Sequence, residues 1–592
     1  MLGLLELPAR IVMNLRELLD HEPVPLKFGT SGRRGLIADL TQLEVYLNAL
    51  AELEYLQSLP HSEGGIARGE DFFFACDLRP SSSAFVPGFP VRGQLSQAIA
   101  QAIADSGMNP LFLGFIPTPA MTSYALTRGK GSMMVTGSHI PFDRNGYKTN
   151  SAQGELLKRD EAPIQALVDK VRARLYAQTL TESRFNSSGM FPDGSRSLPP
   201  AIPDASREYL HRYTDFFDGQ DLRGMRLLVY QHSAVGRDLL MDVLRRFGAE
   251  VIPAGRSETF VPIDTEAIDA AQLRVIESLA AAAWNKHGPI DAVVSTDGDS
   301  DRPLILGVAP VREGATPCRV RFFGGDLVGM IVAEYLRADA VVVPISSNDA
   351  LDRGSLKNVA KTKTRIGSPF VIAGMQAASA KGHQAVCGWE ANGGFLLGST
   401  LTRKGRTLRA LPTRDAFLPI LAVLLRAKEE SVTIWQLFDR LPPRFSRAAL
   451  LKNFPRSTSL RLIARFSPED ESVREVSFDG QGVALWNEAG KEMSPSKTAV
   501  VSLRRTREAL ERFFSPGLGF GRIARLNYTD GVRIHFDNGD VAHVRPSGNA
   551  DELRIYAVAE TQARADAITQ VGVDEPTGIL RLLEAATNAK DS

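Results

Sequence analysis

The sequence predicts a multi-domain α/β protein, and three observations carry that prediction. The chain has 592 residues, too many for one hydrophobic core and enough for three or four domains. It is 44% apolar and 23% charged, an ordinary balance for a soluble globular protein. One helix–glycine–strand pattern also recurs three times along it.

The first copy is LSQAIAQAIADSG followed by MNPLFLG, closing at Gly107 and Gly114. The second is LLMDVLRRFG then AEVIPAG, with Gly248 and Gly255. The third is VIAGMQAASAKG then HQAVCG, with Gly382 and Gly388. A glycine just past a helix supplies the left-handed cap that ends it. The apolar run behind it reads as a buried strand, so each copy is the second half of a helix–strand unit in a mixed sheet. A spacing of roughly 140 residues points to three related domains rather than a short-period solenoid.

Breaker-rich stretches mark the boundaries. Residues 186–204, NSSGMFPDGSRSLPPAIPD, read as a linker or long loop. A second junction is expected at 310–318 around PVREGATPC, and 428–446 leads into the last domain. From about residue 520, RIARLNYTD, GVRIHFDNGD and VAHVRPSG read as short strands joined by Asp-Gly and Asn-Gly turns, with a closing helix near GILRLLEAATNA. The last domain is therefore a small α+β unit. The expected division is 1–200, 201–312, 313–435 and 436–592; the stretch 457–500 carries no clear pattern.

Sixty-nine Lys and Arg against 68 Asp and Glu leave no basic excess for a nucleic acid. Cys76, Cys318 and Cys387 are odd in number and far apart; neither a disulfide framework nor a CxxC metal site follows, and a reducing cytoplasm fits best. The N-terminal MLGLLELPARIVMNLRELLDHEP is interrupted by Glu6, Arg10, Arg16 and Glu17; it reads as a short amphipathic helix, or as an over-long start with Met13 the true beginning, not as a secretion signal. The apolar stretch AFLPILAVLL, 416–425, is too short to cross a bilayer, so no membrane partner is expected.

The clearest chemical signal is DAVVSTDGDSDRP, 291–303. A strand-like run ends in Asp297, Asp299 and Asp301, each two residues apart with Gly298 and Ser300 between. Carboxylates so close repel unless a cation sits among them, and three carboxylates without His or Cys suit Mg²⁺ or another oxygen-loving ion rather than structural Zn²⁺. The other reading is an acidic surface turn. Arg302 offers a fork to a phosphate or sugar oxygen.

Four further loops each admit two readings. In SMMVTGSHIPFDRNGYKTN, 132–150, Ser138 sits at a strand end beside Gly137 and His139, with Lys148 ten residues on; it is a hydroxyl nucleophile or the cap of a helix. KFGTSGRRG, 27–35, with Arg33 and Arg34, is a phosphate loop or a solvated basic turn. GWEANGG, 388–394, places Glu390 and Asn392 for sugar hydroxyls or simply makes a tight turn. RPSGNADELRIY, 545–556, with Arg545, Ser547, Gly548 and Asn549, can form an anion-binding nest.

Together these loops resemble the α-D-phosphohexomutase family, the phosphoglucomutases, phosphomannomutases and phosphoglucosamine mutases. The family's TASHNP, DGDxDR, GExSG and RPSGTEP read TGSHIP, DGDSDR, GWEANGG and RPSGNAD here, in the same order. KFGTSGRRG is similar to its GTSGxR opening, DLRPSS, 77–82, to its DxRxSS, and IPTPA, 116–120, to its TPA stretch. The resemblance spans about residues 27 to 556. The departures are Gly137 for Ala, Ile140 for Asn, Ala391-Asn392-Gly393 in the sugar loop, and Ser368 in RIGSPF where the family often has His or an aromatic residue.

The resemblance implies a four-domain, heart-shaped α/β molecule with one loop per domain around a central cleft. It implies that Ser138 carries a transferable phosphoryl group and, with Asp297, Asp299 and Asp301, holds Mg²⁺. Glu390 and Asn392 would meet the sugar; Arg545, Ser547, Gly548 and Asn549 would grip the phosphate that is not transferred. Lys148, Arg33, Arg34, His139 and Arg302 are the candidates for proton transfer and charge balance. The implied activity is a mutase for hexose phosphates, mannose foremost and glucose second, with hexose 1,6-bisphosphate as intermediate and activator. A hexose 1,6-bisphosphate synthase, a metal-dependent phosphatase and a non-catalytic phosphosugar-binding protein are the alternatives.

Overall fold

The computed structural model describes residues 13–29, 31–88, 92–266, 268–311, 317–480, 482–547 and 551–588. They form two compact units: Met1–Phe28, Gly32–Tyr209 and Thr259–Pro262 in the first, and Gly29–Ser31, Leu210–Glu258 and Ile263–Ser592 in the second.

The first unit is built on one mixed sheet. Its strands run in the order Lys27–Phe28, Arg33–Leu36, Arg144–Ser151, Ser132–Val135, Asp71–Cys76 and Asn109–Phe115, with Gly154–Glu155 pairing off Arg144–Ser151. Asp71–Cys76 (DFFFAC) is parallel to both its neighbours and buried at nearly every position, as a central strand covered on both faces must be. Phe72, Phe74, Cys76, Met133 and Val135 belong to one core with residues of helices Gln42–Ser58, Leu95–Asp105 and Lys158–Tyr176. Phe73 instead meets Tyr124 of helix Thr118–Leu126, ring centroids 5.2 Å apart.

In the second unit a five-stranded sheet runs Cys318–Phe322, Pro303–Pro310, Ala292–Thr296, Arg226–His232, Glu250–Arg256. The stretch 310–318 is thus a connection between paired neighbours, with Pro310 opposite Cys318, and not a junction between domains. A four-stranded sheet follows: Ala340–Val342, Val386–Trp389, Phe395–Leu397, Leu411–Asp415. The apolar stretch 416–425 lies in helix Phe417–Glu429, which is almost wholly buried. Among the described residues no helix is long and apolar enough to cross a membrane.

The last sheet is antiparallel throughout, from Phe445–Lys452 through Glu552–Ala559, Val541–Pro546, Val532–Phe536, Ile523–Asn527, Val473–Asp479 and Gly482–Asn487 to Glu492–Met493. One face packs on helices Arg456–Phe466, Lys497–Phe513, Gln562–Val573 and Ile579–Asn588. The patternless stretch 457–500 therefore supplies two helix segments and three strands.

All three helix–glycine–strand copies form. Helices Leu95–Asp105, Arg237–Arg246 and Ser368–Ala380 are followed by Gly107, Gly248 and Gly382 at φ +81°, +84° and +93°. The closing glycines Gly114, Gly255 and Gly388 are each the next-to-last residue of a strand, Asn109–Phe115, Glu250–Arg256 and Val386–Trp389; the first two adopt φ +91° and +64°. Gly388 is needed for space instead, since a Cβ there would sit 2.5 Å from the carbonyl oxygen of Val342 on the paired strand. Residues 1–12 of the expected N-terminal helix lie outside the described residues; Leu15–Leu18 forms one turn with Asn14 and Glu17 as a capping box.

Candidate active site

In the first unit the buried strand Ser132–Val135 runs out into Thr136, Gly137 and Ser138. Ser138 is buried and held at φ +54°, a conformation that costs a non-glycine residue about 1–3 kcal/mol. The offset is visible in its partners. The Ser138 N–H donates to Thr136 Oγ1 at 2.7 Å, and that hydroxyl donates to Asp77 Oδ2 at 2.7 Å. Asp77 Oδ1 accepts from Ser82 Oγ and the Arg79 N–H at 2.7 and 3.0 Å. The buried Arg79 guanidinium donates to the carbonyls of Ser138 (3.1 Å), Ile140, Pro141 (2.8 Å) and Arg144 (2.8 Å), and stacks over Phe260 at 3.9 Å. Charge-assisted bonds of this kind are worth about 1.5–3 kcal/mol each, enough to hold the strained serine. The same guanidinium explains Gly137, where a Cβ would lie 2.5 Å from it.

His139 Nδ1 is 3.4 Å from Ser138 Oγ. Lys148 is buried on strand Arg144–Ser151, opposite Met134. Its side chain runs against Gly32, where a Cβ would meet Tyr147 O at 2.4 Å and Lys148 Cγ at 3.1 Å, so the KFGTSGRRG loop needs that glycine. Arg33 and Arg34 part company. Arg33 is fully buried, donates to Glu52 Oε1 at 2.6 Å and Leu26 O at 2.8 Å, and stacks on Phe28 at 3.8 Å. It is a core ion pair and not the proton-transfer candidate expected of it. Arg34 is half-buried and donates to backbone carbonyls of Arg33 and Tyr147.

In the second unit Asp297, Asp299 and Asp301 are all buried, and one carboxylate oxygen of each lies within 4.8 Å of the others. The loop is turned by Ser300 at φ +57°, whose Oγ accepts from the Gly236 N–H at 2.9 Å and bonds Thr296 Oγ1 at 2.8 Å. Asp297 Oδ1 accepts from the N–H groups of Asp301 and Arg302 at 3.1 and 3.2 Å, closing the loop on itself. Behind it, buried His232 faces Thr296 O at 2.8 Å; burial pushes its pKa down to about 4, so the ring is neutral near pH 7.

Arg302 Nε lies 3.8 Å from Asp297 and 3.6 Å from Asp301. Arg414 bridges the aspartate loop and the GWEANGG loop: Nε donates to Asp301 Oδ2 and Nη1 to Glu390 Oε2, both at 3.0 Å. Gly394 makes room for it, since a Cβ there would lie 2.5 Å from Arg414 Cδ. The three converging aspartates and Glu390 stand beside the guanidinium groups of Arg302 and Arg414. An all-oxygen, buried, converging donor set therefore fits a hard cation.

Glu390 and Asn392 are buried in the GWEANGG loop. Asn392 spends its Oδ1 on the Gly394 N–H at 3.0 Å, and its carbonyl accepts from Thr265 Oγ1 at 2.7 Å. Glu266, next to Thr265, lines a cavity of about 250 Å³ with Ala391, Asp326, Arg444 and Tyr556. Desolvation, with Asp264 and Glu390 adding to it against Arg554 and Arg302, pushes its pKa up to about 7. Arg545 and Ser547 are buried; Ser547 N–H donates to Glu552 O at 2.9 Å and Arg545 pairs with Asp530. Gly548 and Asn549 lie outside the described residues. Sequence reasoning missed Arg414 and Glu266 altogether, and it quoted Arg79 only as part of DLRPSS.

Residues 25–175 match the phosphoglucomutase/phosphomannomutase alpha/beta/alpha domain I, 324–445 match its domain III, and 496–571 its C-terminal domain. The phosphomannomutase of Sinorhizobium fredii is 36% identical over 549 residues, which cover 92% of this chain and 98% of that protein. The chain belongs to the phosphoglucomutase/phosphomannomutase family. The phosphomannomutase of Salmonella muenchen is 34% identical, covering 91% of this chain and 93% of its own. A solved phosphoglucomutase/phosphomannomutase family protein from Burkholderia thailandensis superposes with a TM-score of 0.60 at 15% identity, over 94% of this chain and 97% of the other; this likeness concerns the fold. As a phosphohexomutase the protein is an isomerase that works by intramolecular phosphotransfer.

Proposed function

We propose that this phosphohexomutase interconverts mannose 6-phosphate and mannose 1-phosphate, with the glucose phosphates as its second substrate pair. Support for mannose comes from two relatives above 30% identity that are phosphomannomutases. The observation that carries the chemistry is the buried, converging aspartate triad, matched in the first unit by a serine pinned at positive φ.

In this reading Ser138 Oγ carries the phosphoryl group. Its O–P bond breaks as a bond forms to the free hydroxyl of the hexose monophosphate, whose proton passes to a nearby base. The resulting hexose 1,6-bisphosphate turns over and returns its other phosphate to Ser138, completing the isomerisation. Mg²⁺ held by Asp297, Asp299 and Asp301 would supply charge neutralisation at the serine oxygen. Arg79 fixes the serine backbone, so positioning is prepaid before substrate arrives. Lys148, Arg34 and His139 are the candidates for holding the proton and balancing phosphate charge; Arg302 and Arg414 order the acidic loop. Glu390 and Asn392 meet sugar hydroxyls, and Arg545 with Ser547, Gly548 and Asn549 binds the phosphate that stays. The four-domain division belongs to the same proposal, with the second domain carried through strand Cys318–Phe322. So does a cytoplasmic location, which the three free, buried cysteines suit.

The test is an activity panel with mannose 1-phosphate, glucose 1-phosphate and glucosamine 1-phosphate, with and without Mg²⁺ and a bisphosphate activator. Isomerised mannose phosphate at the highest kcat/KM supports the assignment. Net release of free bisphosphate or of inorganic phosphate, without isomerised sugar, overturns it.

A further inference from the structure

The turn Thr529, Asp530, Gly531 in the second unit carries a carboxylate for which the proposed reaction has no use. Its backbone cannot drift. Gly531 adopts φ +81°, and a Cβ there would lie 2.4 Å from the carbonyl oxygen of Val544 on the neighbouring strand. Asp530 is thereby set between two other pieces of chain, strand Val541–Pro546 and the segment at Ile366. Its Oδ1 lies 3.4 Å from Arg545 Nε, on the strand that leads into the RPSGN loop. Its Oδ2 accepts the N–H of Ile366 at 3.0 Å, one residue before Gly367, which caps helix Ser368–Ala380. Its own carbonyl faces the ring Nε2 of buried His543 at 2.5 Å.

The charge pattern around it gives the contact a purpose. Arg545 stands directly opposite Arg554 in the sheet, and two neighbouring guanidinium groups repel. Asp530 offsets that repulsion on the Nε side of Arg545. A guanidinium has five N–H donors in a rigid fork; Asp530 faces Nε at 3.4 Å as an ion contact and Tyr556 takes one donor, which leaves donors on the terminal nitrogens for a phosphate. A side chain fixed beforehand has less freedom to lose when the ligand arrives.

We propose that Asp530 is a positioning residue for the phosphate that is not transferred: it sets the angle of the Arg545 guanidinium and latches that strand to the backbone ahead of helix Ser368–Ala380. The inference rests on the reading of Arg545 as a phosphate-binding residue. It assigns Asp530 no contact with substrate.

The test uses the full-length enzyme and its own turnover. Asp530→Asn keeps the shape and an oxygen acceptor but removes the charge. It is expected to raise KM for the hexose phosphate, and the inhibition constant of inorganic phosphate with it, about tenfold, while kcat stays within about threefold. Added to Arg545→Lys, it should change KM little further, because the two side chains act as one unit. Asp530→Glu retains the charge and should recover part of the loss; it also provides the readout if Asp530→Asn folds poorly. A purely structural role would lower the melting temperature and leave KM alone. Wild-type KM and phosphate inhibition in Asp530→Asn overturn the proposal, as does a fall in kcat with KM unmoved. A wild-type protein that transfers no phosphoryl group between hexose hydroxyls overturns the mutase reading itself, so the two failures are distinct.

Discussion

Ser138 and Ser300 both stand just past the end of a buried strand, at φ +54° and +57°, yet the two loops put that geometry to different uses. In the serine loop the strained residue is the proposed phosphoryl carrier, and the partners that hold it are backbone carbonyls gathered by one cation, Arg79. In the aspartate loop the strained residue is spent on its own turn, through Gly236 and Thr296, and the proposed metal ligands are the carboxylates it folds together. The first loop brings its counter-charge with it. The second, three converging carboxylates beside Arg302 and Arg414, takes a cation from outside in the proposed mechanism. The difference predicts that variants in the serine loop will fail whatever the metal concentration, whereas variants in the aspartate loop will fail in a way that metal partly repairs.

Five experiments bear on that contrast. Ser138→Ala should lower kcat/KM at least about a thousandfold at any Mg²⁺ concentration, with the melting temperature unchanged. His232 lies behind the aspartate loop. Its folded pKa of about 4 is below the unfolded value near 6.5, so the unfolded chain binds the proton first as pH falls. Stability is full above pH 6.5 and is lost between 6.5 and 4, by about 3 kcal/mol from this residue. His543, pushed down to about 3 by burial, adds in the same direction. Denaturant midpoints across that range should slope accordingly, and His232→Gln should flatten part of the slope. Asp299→Asn should cost about a hundredfold in activity, partly recovered at high Mg²⁺, with weakened divalent-ion binding by calorimetry. EDTA should inactivate the wild type and Mg²⁺ restore it; full activity in EDTA would dissolve the contrast. Arg79→Lys keeps the charge but loses the fork over four carbonyls, and should lower kcat about tenfold with KM little changed.

Much of this was legible because it is local. Ser138 and the three aspartates sit in short loops at strand ends, where a few adjacent residues determine both the turn and the chemistry. The helix–glycine–strand copies are local too, and each of the three caps formed at its predicted glycine. What stayed hidden acts across the chain. Arg414 reaches Asp301 from 113 residues away, and Asp530 reaches the Ile366 amide from 164. Arg414 lies within strand Leu411–Asp415, and composition marks Asp530 only as half of an Asp-Gly turn. Arg33 shows the reverse error: composition cannot distinguish a guanidinium waiting for phosphate from one closed on a buried Glu52. The stretch 457–500 was opaque because its strands near the edge of the sheet are only partly buried and alternate weakly, so no clean period of two emerges.

In the proposed mechanism phosphate passes through the hydroxyl of Ser138. This is tested most directly by incubating the enzyme with labelled hexose 1,6-bisphosphate and mapping the label by peptide mass spectrometry. The account predicts one phosphoryl group on Ser138, removed at the rate of turnover by unlabelled hexose monophosphate and recovered in the bisphosphate. Sustained mutase turnover with Ser138 unmodified throughout would contradict it.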